Sequence, residues 1–123
     1  MSIKFEGRSR LELKVEMLLE EGGFDFTTEY IFPELVASSG RPLRFDFAVF
    51  NNLGELDSLI EYQGIQHYEP VEYFGGDDKF AIQKEYDEFK RGYCIKNNIS
   101  LLIIPHWELD NVANVLNKNI LKQ

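Results

Sequence analysis

Cysteine is almost absent from this sequence. Cys94 stands alone, so neither an internal disulfide nor a cysteine-built zinc site can form, in agreement with a reducing compartment. Long apolar runs are absent as well. No stretch approaches the roughly 18 uninterrupted apolar residues of a membrane helix, and the start Met-Ser-Ile-Lys-Phe-Glu lacks the apolar segment of a signal peptide. These features predict a soluble, cytoplasmic protein without membrane contacts. Positive charge is in the minority: 13 Lys and Arg face 21 Asp and Glu, for a net charge of −8. That excludes a broadly basic nucleic-acid coat protein and an electrostatic membrane binder, and leaves room for a local cationic strip. Repeats and low-complexity stretches are missing too. The 123 residues, 44% apolar and 14% aromatic, provide one packed core and one domain over 1–123, and are too few for two.

The order of elements follows from periodicity. Ser9-Arg10-Leu11-Glu12, with Leu11, Val15, Leu18 and Leu19 on one face, reads as a capped amphipathic helix that ends at Gly22-Gly23. Phe24 to Phe32 is aromatic and β-branched and reads as a strand that stops at Pro33, followed by a loop from Val36 to Pro42. Leu43 to Phe50 and Leu56 to Gln63 flank Asn51-Asn52-Leu53-Gly54-Glu55 and form a hairpin. After a polar connection whose Asp78 is placed to cap a helix, Ile82, Tyr86, Phe89 and Tyr93 fall at the spacing of a buried stripe. Ser100 to Ile104 is a strand buried on both faces, and Leu109, Val112, Leu116 and Ile120 mark a closing helix. The expected fold class is α/β (α+β): a small mixed β-sheet flanked by helices, in the order α-β-β-β-α-β-α.

The hairpin carries the most chemistry. Its register, within one residue, sets Asp46 beside Glu61, and alternation turns Glu61, Gln63 and Asp46 to one face. Both carboxylates sit between large apolar neighbours, Phe45 and Phe47 for one, Ile60 and Tyr62 for the other. Side-by-side carboxylates repel unless a proton or a cation intervenes, and hard oxygens favour Mg²⁺ or Mn²⁺. The other reading is a hairpin with one wet face. Glu12 has two readings as well: the glutamate of a Ser9-x-x-Glu12 capping box, or an acid near the pair. Gln83, Asp87 and Lys90 make a polar stripe that is either a solvated helix face or part of the site. His67, in Gln63-Gly64-Ile65-Gln66-His67-Tyr68, either donates to a phosphate or relays a proton, or is bound to a backbone carbonyl. His106 is expected to cap the end of the last strand.

These segments resemble the PD-(D/E)XK nuclease superfamily, in particular small phage and bacterial endonuclease-like proteins. The resemblance runs through Glu12, Pro42-Leu43-Arg44-Phe45-Asp46-Phe47, Ile60-Glu61-Tyr62-Gln63-Gly64-Ile65-Gln66-His67-Tyr68, the helix with Asp87 and Lys90, and the buried strand Asn98 to Pro105. It implies a restriction-endonuclease-like core and a Mg²⁺-dependent (or Mn²⁺-dependent) endonuclease that hydrolyses DNA with metal-activated water, in a bacterial or phage-infected cell. Asp46 and Glu61, with the Gln63 carbonyl, would hold metal, and Glu12 would be a further acidic member. Gln63 stands where the motif lysine is usual: an amide orients water but does not deprotonate it, so Lys90 would supply the missing charge. Ile103 stands where similar proteins often carry a basic residue. Arg44, which alternation puts on the face of Asp46, would contact DNA together with Arg41, His67, Gln66, Lys84 and Arg91, with Arg8 and Arg10 nearby and Asp87 and Gln83 in support. Cutting both strands would call for a homodimer or two encounters. The competing expectation, favoured by Gln63 and the net charge, is a catalytically impaired nuclease-fold module that binds DNA or protein. A third, a small acidic interaction protein, leaves Asp46, Glu61, Asp87 and Lys90 together without a reason.

Overall fold

The computed structural model describes residues 9–72 and 75–121, so Arg8 lies outside the described residues. Helix α1 (Arg10–Glu21) starts with a complete capping box: the Glu12 N–H donates to Ser9 Oγ at 3.1 Å and the Ser9 N–H donates to Glu12 Oε1 at 2.9 Å. Three antiparallel strands follow, β1 (Asp25–Val36), β2 (Pro42–Phe50) and β3 (Leu56–Gln63). The chain then passes through a 3₁₀ turn (Ile65–His67) and α2 (Gly76–Lys96) to reach β4 (Ser100–Pro105), parallel to β3. A parallel partner cannot be reached by a tight turn, which is why a helix intervenes. A second 3₁₀ turn (His106–Asn111), α3 (Val112–Leu116) and a π turn (Asn117–Leu121) close the described chain. The protein is mixed α/β: a four-stranded mixed sheet in the order β1-β2-β3-β4 with three helices. No helix among the described residues is long and apolar enough to cross a membrane.

Both sheet faces are covered. Leu11, Val15 and Leu19 of α1 and Val112 and Leu116 of α3 pack on Phe47, Val49, Ile60 and Ile104. On the other face Cys94 of α2, with half-buried Tyr86 and Tyr93, packs on Phe45, Ala48 and Leu59.

Four local expectations need correction. β1 does not stop at Pro33 but runs to Val36, with a register shift between Ile31 and Val36. It is an edge strand, where a proline's missing N–H breaks no ladder on the open side. Helix α2 begins at Gly76 after Gly75 at φ 104°, with no side-chain cap, so Asp78 favours the helix from within its first turn by charge. The stripe expected to be buried on α2 is only half so: Tyr86 and Tyr93 face the sheet while Ile82 and Phe89 are exposed. The closing helix is three short pieces instead of one.

Candidate functional site

β2 and β3 pair through Val49↔Ser58, Ala48↔Leu59 and Phe47↔Ile60. One step further, where Asp46 faces Glu61, side chains take over the ladder. The Tyr62 N–H donates to Asp46 Oδ2 at 2.6 Å, and the Asp46 N–H donates to Glu61 Oε1 at 3.3 Å. Beyond that point the strands part, and a cavity of about 650 Å³ opens whose walls include Glu12, Asp46, Glu61, His67, Gln83 and Lys90. The expected convergence of Asp46 with Glu61 is present.

The sheet also reverses its faces here. Phe45 packs with α2 and Phe47 with α1 and α3, although the two have the same parity along β2. Opposite Asp46 on β1, Glu29 has φ 53°, a left-handed conformation that interrupts regular pleating. Strand parity is broken between Phe45 and Phe47, yet Arg44 and Asp46 line the same cavity. Arg44 reaches the cavity wall from solvent, and its guanidinium donates to Glu29 Oε1 at 2.8 Å.

Helix α2 supplies the charge partners. Lys90 Nζ donates to Glu61 Oε2 at 2.6 Å, with both side chains close to fully buried, and lies 5.4 Å from the centroid of the Phe45 ring. His67 Nδ1 is 2.9 Å from Asp87 Oδ2, and Gln83 Nε2 donates to Asp87 Oδ1 at 3.1 Å. A carboxylate only accepts, so the His67 proton sits on Nδ1, and Nε2 is left without a protein partner among the described residues. The polar stripe Gln83-Asp87-Lys90 is thus no solvated face: it is turned in over the carboxylates.

Burial drives the titration of the pair. Asp46 is pushed up to about 8 by burial, then by the charges of Glu61 and Glu12, against the Tyr62 N–H and Lys90. Burial also raises Glu61, and Lys90 opposes it. Burial thus favours the protonated forms of the pair unless a cation stands between them. Asp46 Oδ1 has no hydrogen-bond partner among the described residues. Two hard carboxylates with one free oxygen suit Mg²⁺ or Mn²⁺, ions that take one or two protein carboxylates and fill the rest with water and phosphate. Among the described residues no group of three His, Cys, Asp or Glu is placed to hold an ion, so the fit is of that sparse kind.

The remaining expectations divide. Glu12 both caps α1 through Oε1 and lines the cavity, so its two readings coexist. Arg41 and Gln66 line the cavity as well. The Gln63 side chain does not join Asp46 and Glu61. It is buried, and its Oε1 accepts from the Tyr68 hydroxyl at 2.8 Å, because the chain bends at Gly64 and brings Tyr68 back over β3. Lys84 lies over the Phe80 ring, 5.3 Å from its centroid, and neither it nor the exposed Arg91 and Arg10 belongs to the cavity wall. His106 makes no cap. It opens a 3₁₀ turn and touches the rings of Tyr68 and Trp107. Trp107, two residues after β4, packs with Tyr68 at a centroid distance of 4.9 Å and was not anticipated from the sequence.

No family model matches the chain, and no solved structure matches it. Among curated proteins it is similar to uncharacterized protein 094L of Frog virus 3 (isolate Goorha), 45% identical over 57 residues, which is 45% of this chain and 37% of that protein. It is also similar to uncharacterized protein 307L of Invertebrate iridescent virus 6, 30% identical over 82 residues, 66% of this chain and 42% of that protein. The chain therefore spans less than half the length of these relatives, both of them viral.

Proposed function

We propose that this protein is a metal-dependent endonuclease of the PD-(D/E)XK kind, with a restriction-endonuclease-like core, that hydrolyses phosphodiester bonds of DNA. The observation that carries the reading is the buried Asp46–Glu61 pair at the parting of β2 and β3, with Asp46 pushed up to about 8. Two carboxylates whose charge burial disfavours, set at the wall of a cavity, are a place prepared for a cation. Asp46 and Glu61 would hold Mg²⁺ or Mn²⁺; when bound, such an ion neutralises the phosphate and makes a nearby water more acidic.

This chain's own groups provide the rest. Lys90 fixes Glu61 by a bond of 2.6 Å and brings positive charge toward a phosphate. Asp87 holds the proton of His67 on Nδ1, so that Nε2 faces a reactant free to accept a proton from water or, once protonated, to return one to the leaving oxygen. Arg41, Arg44 and Gln66 lie on the cavity wall where flanking phosphates would pass.

The test is nicking of supercoiled plasmid with Mg²⁺ or Mn²⁺. Asp46→Asn and Glu61→Gln are each expected to reduce it by at least about 10³-fold while far-ultraviolet circular dichroism is unchanged. Wild-type nicking by either variant would sink the assignment. One observation favours a second reading, a nuclease-fold module that binds DNA or protein without cutting: the group in place of the motif lysine is an amide tied to Tyr68. That reading predicts no cleavage by wild type with any divalent ion, and cleavage by Gln63→Lys.

A further inference from the structure

A second cavity, of about 300 Å³, adjoins the carboxylate cavity. Arg41, Gln66, Gln83 and Tyr86 line both, so the two share a wall. The second lies over the first turns of α2, which contribute Lys79, Phe80 and Ile82, and is closed by the turn after β3 and by the β1–β2 loop that carries Arg41. Neither Asp46 nor Glu61 belongs to its wall.

Its chemistry differs from that of the first cavity. The side chains of Arg41 and Lys79 have no ion-pair or hydrogen-bond partner among the described residues. Glu69 is the one carboxylate among the described residues of the wall, and it pairs with neither. In a chain of net charge −8, two cations left unpaired at one cavity suit an anionic ligand. Phe80 and Tyr86 add ring surface, and Phe80 belongs to neither core cluster, so its ring does not serve to fill the core. Hydrogen-bonding capacity is left over as well. The Gln66 amide and the Tyr86 hydroxyl have no partner among the described residues, and Gln83, whose Nε2 donates to Asp87, keeps its Oε1 free.

Cations, ring surface and unspent donors and acceptors around one small space match the three parts of a nucleotide: phosphate, base face and base edge. The size agrees, since small-ligand sites occupy about 300–1,000 Å³ and this cavity lies at the low end, where a single base fits and a base pair does not. Drawing a base out of a duplex costs least where it is already unpaired.

We propose that the second cavity receives an unpaired nucleotide of the DNA that the first cavity cleaves, its base against Phe80 and Tyr86 and its phosphate toward Arg41 and Lys79. This rests on the phosphodiester reading of the carboxylate cavity and adds a substrate class to it: DNA with a bulged or mispaired nucleotide beside the scissile bond. Because Arg41 stands on both walls, it holds the phosphate that passes from one cavity to the other. Seating the nucleotide then sets the neighbouring phosphodiester before Asp46 and Glu61.

The test is binding of the full chain, in EDTA, to fluorescein-labelled duplexes that carry either one bulged thymidine or an abasic bulge with the same phosphates. Anisotropy is expected to show the thymidine bulge bound about tenfold to a hundredfold more tightly. Phe80→Ala, which removes a ring outside the core, should erase that difference, and so should Ile82→Trp, which fills the cavity from an exposed position. Lys79→Ala should weaken both bulged duplexes alike. Equal affinity of wild type for the two bulges overturns the proposal, as does a preference that survives in folded Phe80→Ala and Ile82→Trp. Free thymidine 5′-monophosphate that competes as strongly as the bulged duplex assigns the cavity to a free nucleotide and overturns it too. The two readings fail separately. A base-dependent preference in a wild-type protein that cuts no DNA with Mg²⁺ or Mn²⁺ keeps the nucleotide site and removes the nuclease. Cleavage with the same kcat/KM beside paired and bulged nucleotides, in wild type and Phe80→Ala alike, keeps the nuclease and removes the nucleotide site.

Discussion

At its turn the β2–β3 hairpin is closed by backbone geometry and one asparagine. Asn51 Oδ1 accepts from the N–H groups of Leu53 and Glu55 at 2.9 Å and 3.0 Å, and after a register shift between Val49 and Phe50 the backbone ladder runs on from Val49↔Ser58 to Phe47↔Ile60. At the open end of the same hairpin, carboxylates replace the ladder bonds, the sheet changes faces, and buried charges stand within hydrogen-bonding distance of one another. Two strands thus carry a stretch made for stability and a stretch made at its expense. The difference is electrostatic: at the open end burial holds Asp46 and Glu61 both above their ordinary titration.

Lys90→Met should break this contrast most sharply. It leaves the Glu61 carboxylate buried without its cation, at a cost of about 3–5 kcal/mol by urea unfolding at alkaline pH. The loss should shrink in mild acid, where Glu61, already raised by burial, takes up a proton. Adding Glu61→Gln should restore most of it, and a double variant no more stable than the single one would show that this pair does not hold the open end. Cleavage should also fall further in Lys90→Met than in Gln63→Ala, since the amide is turned to Tyr68.

The next effect is a pH slope. Asp46 has a folded-state pKa of about 8 against an ordinary value of 3.8, so between those values the folded protein keeps a proton that the unfolded chain has released. For this group, stability is fully present below 3.8 and declines as pH rises toward about 8, by up to about 1.4 kcal/mol per pH unit. Asp46→Asn preserves an acceptor for the Tyr62 N–H. It should flatten the slope and raise Tm at alkaline pH in EDTA, whereas Mg²⁺ should raise the Tm of wild type and not of the variant. A wild-type Tm that does not fall between mildly acidic and alkaline pH would contradict the burial of a strained acid here.

Smaller effects separate the roles of single residues. Glu12→Gln completes the capping box as well as glutamate does, so stability should change by less than about 0.5 kcal/mol, while plasmid nicking drops by about tenfold or more. Unchanged nicking would leave Glu12 a cap alone. Asn51→Ala removes three side-chain hydrogen bonds of the turn, on the surface, and should cost about 1 kcal/mol in urea with cleavage untouched.

Much of the fold was legible because it depends on local periods. The capping box at Ser9, the strand period and the turn length placed α1 and the Asp46–Glu61 pair without any knowledge of tertiary contacts. The failures share a cause. The Gln63 side chain was lost to the site because a hydroxyl five residues on reaches back to it, and strand parity fails between Phe45 and Phe47 opposite Glu29, whose left-handed backbone has no sign in its residue type. The inward turn of Gln83, Asp87 and Lys90 was hidden for another reason: an apolar stripe beside them competed for the sheet, and buried carboxylates outweighed it. Such outcomes are decided between elements, where spacing along one element is silent.

Pro33 bears on which edge of the sheet a second copy of the chain can pair with. It lies in the outermost strand, within the stretch where β1 slips register against β2. An arriving strand would meet a missing donor there and a backbone out of step with its own, so the sheet does not propagate past β1 into a neighbouring molecule. A strand pairing between two copies is left to β4, the other edge of the sheet.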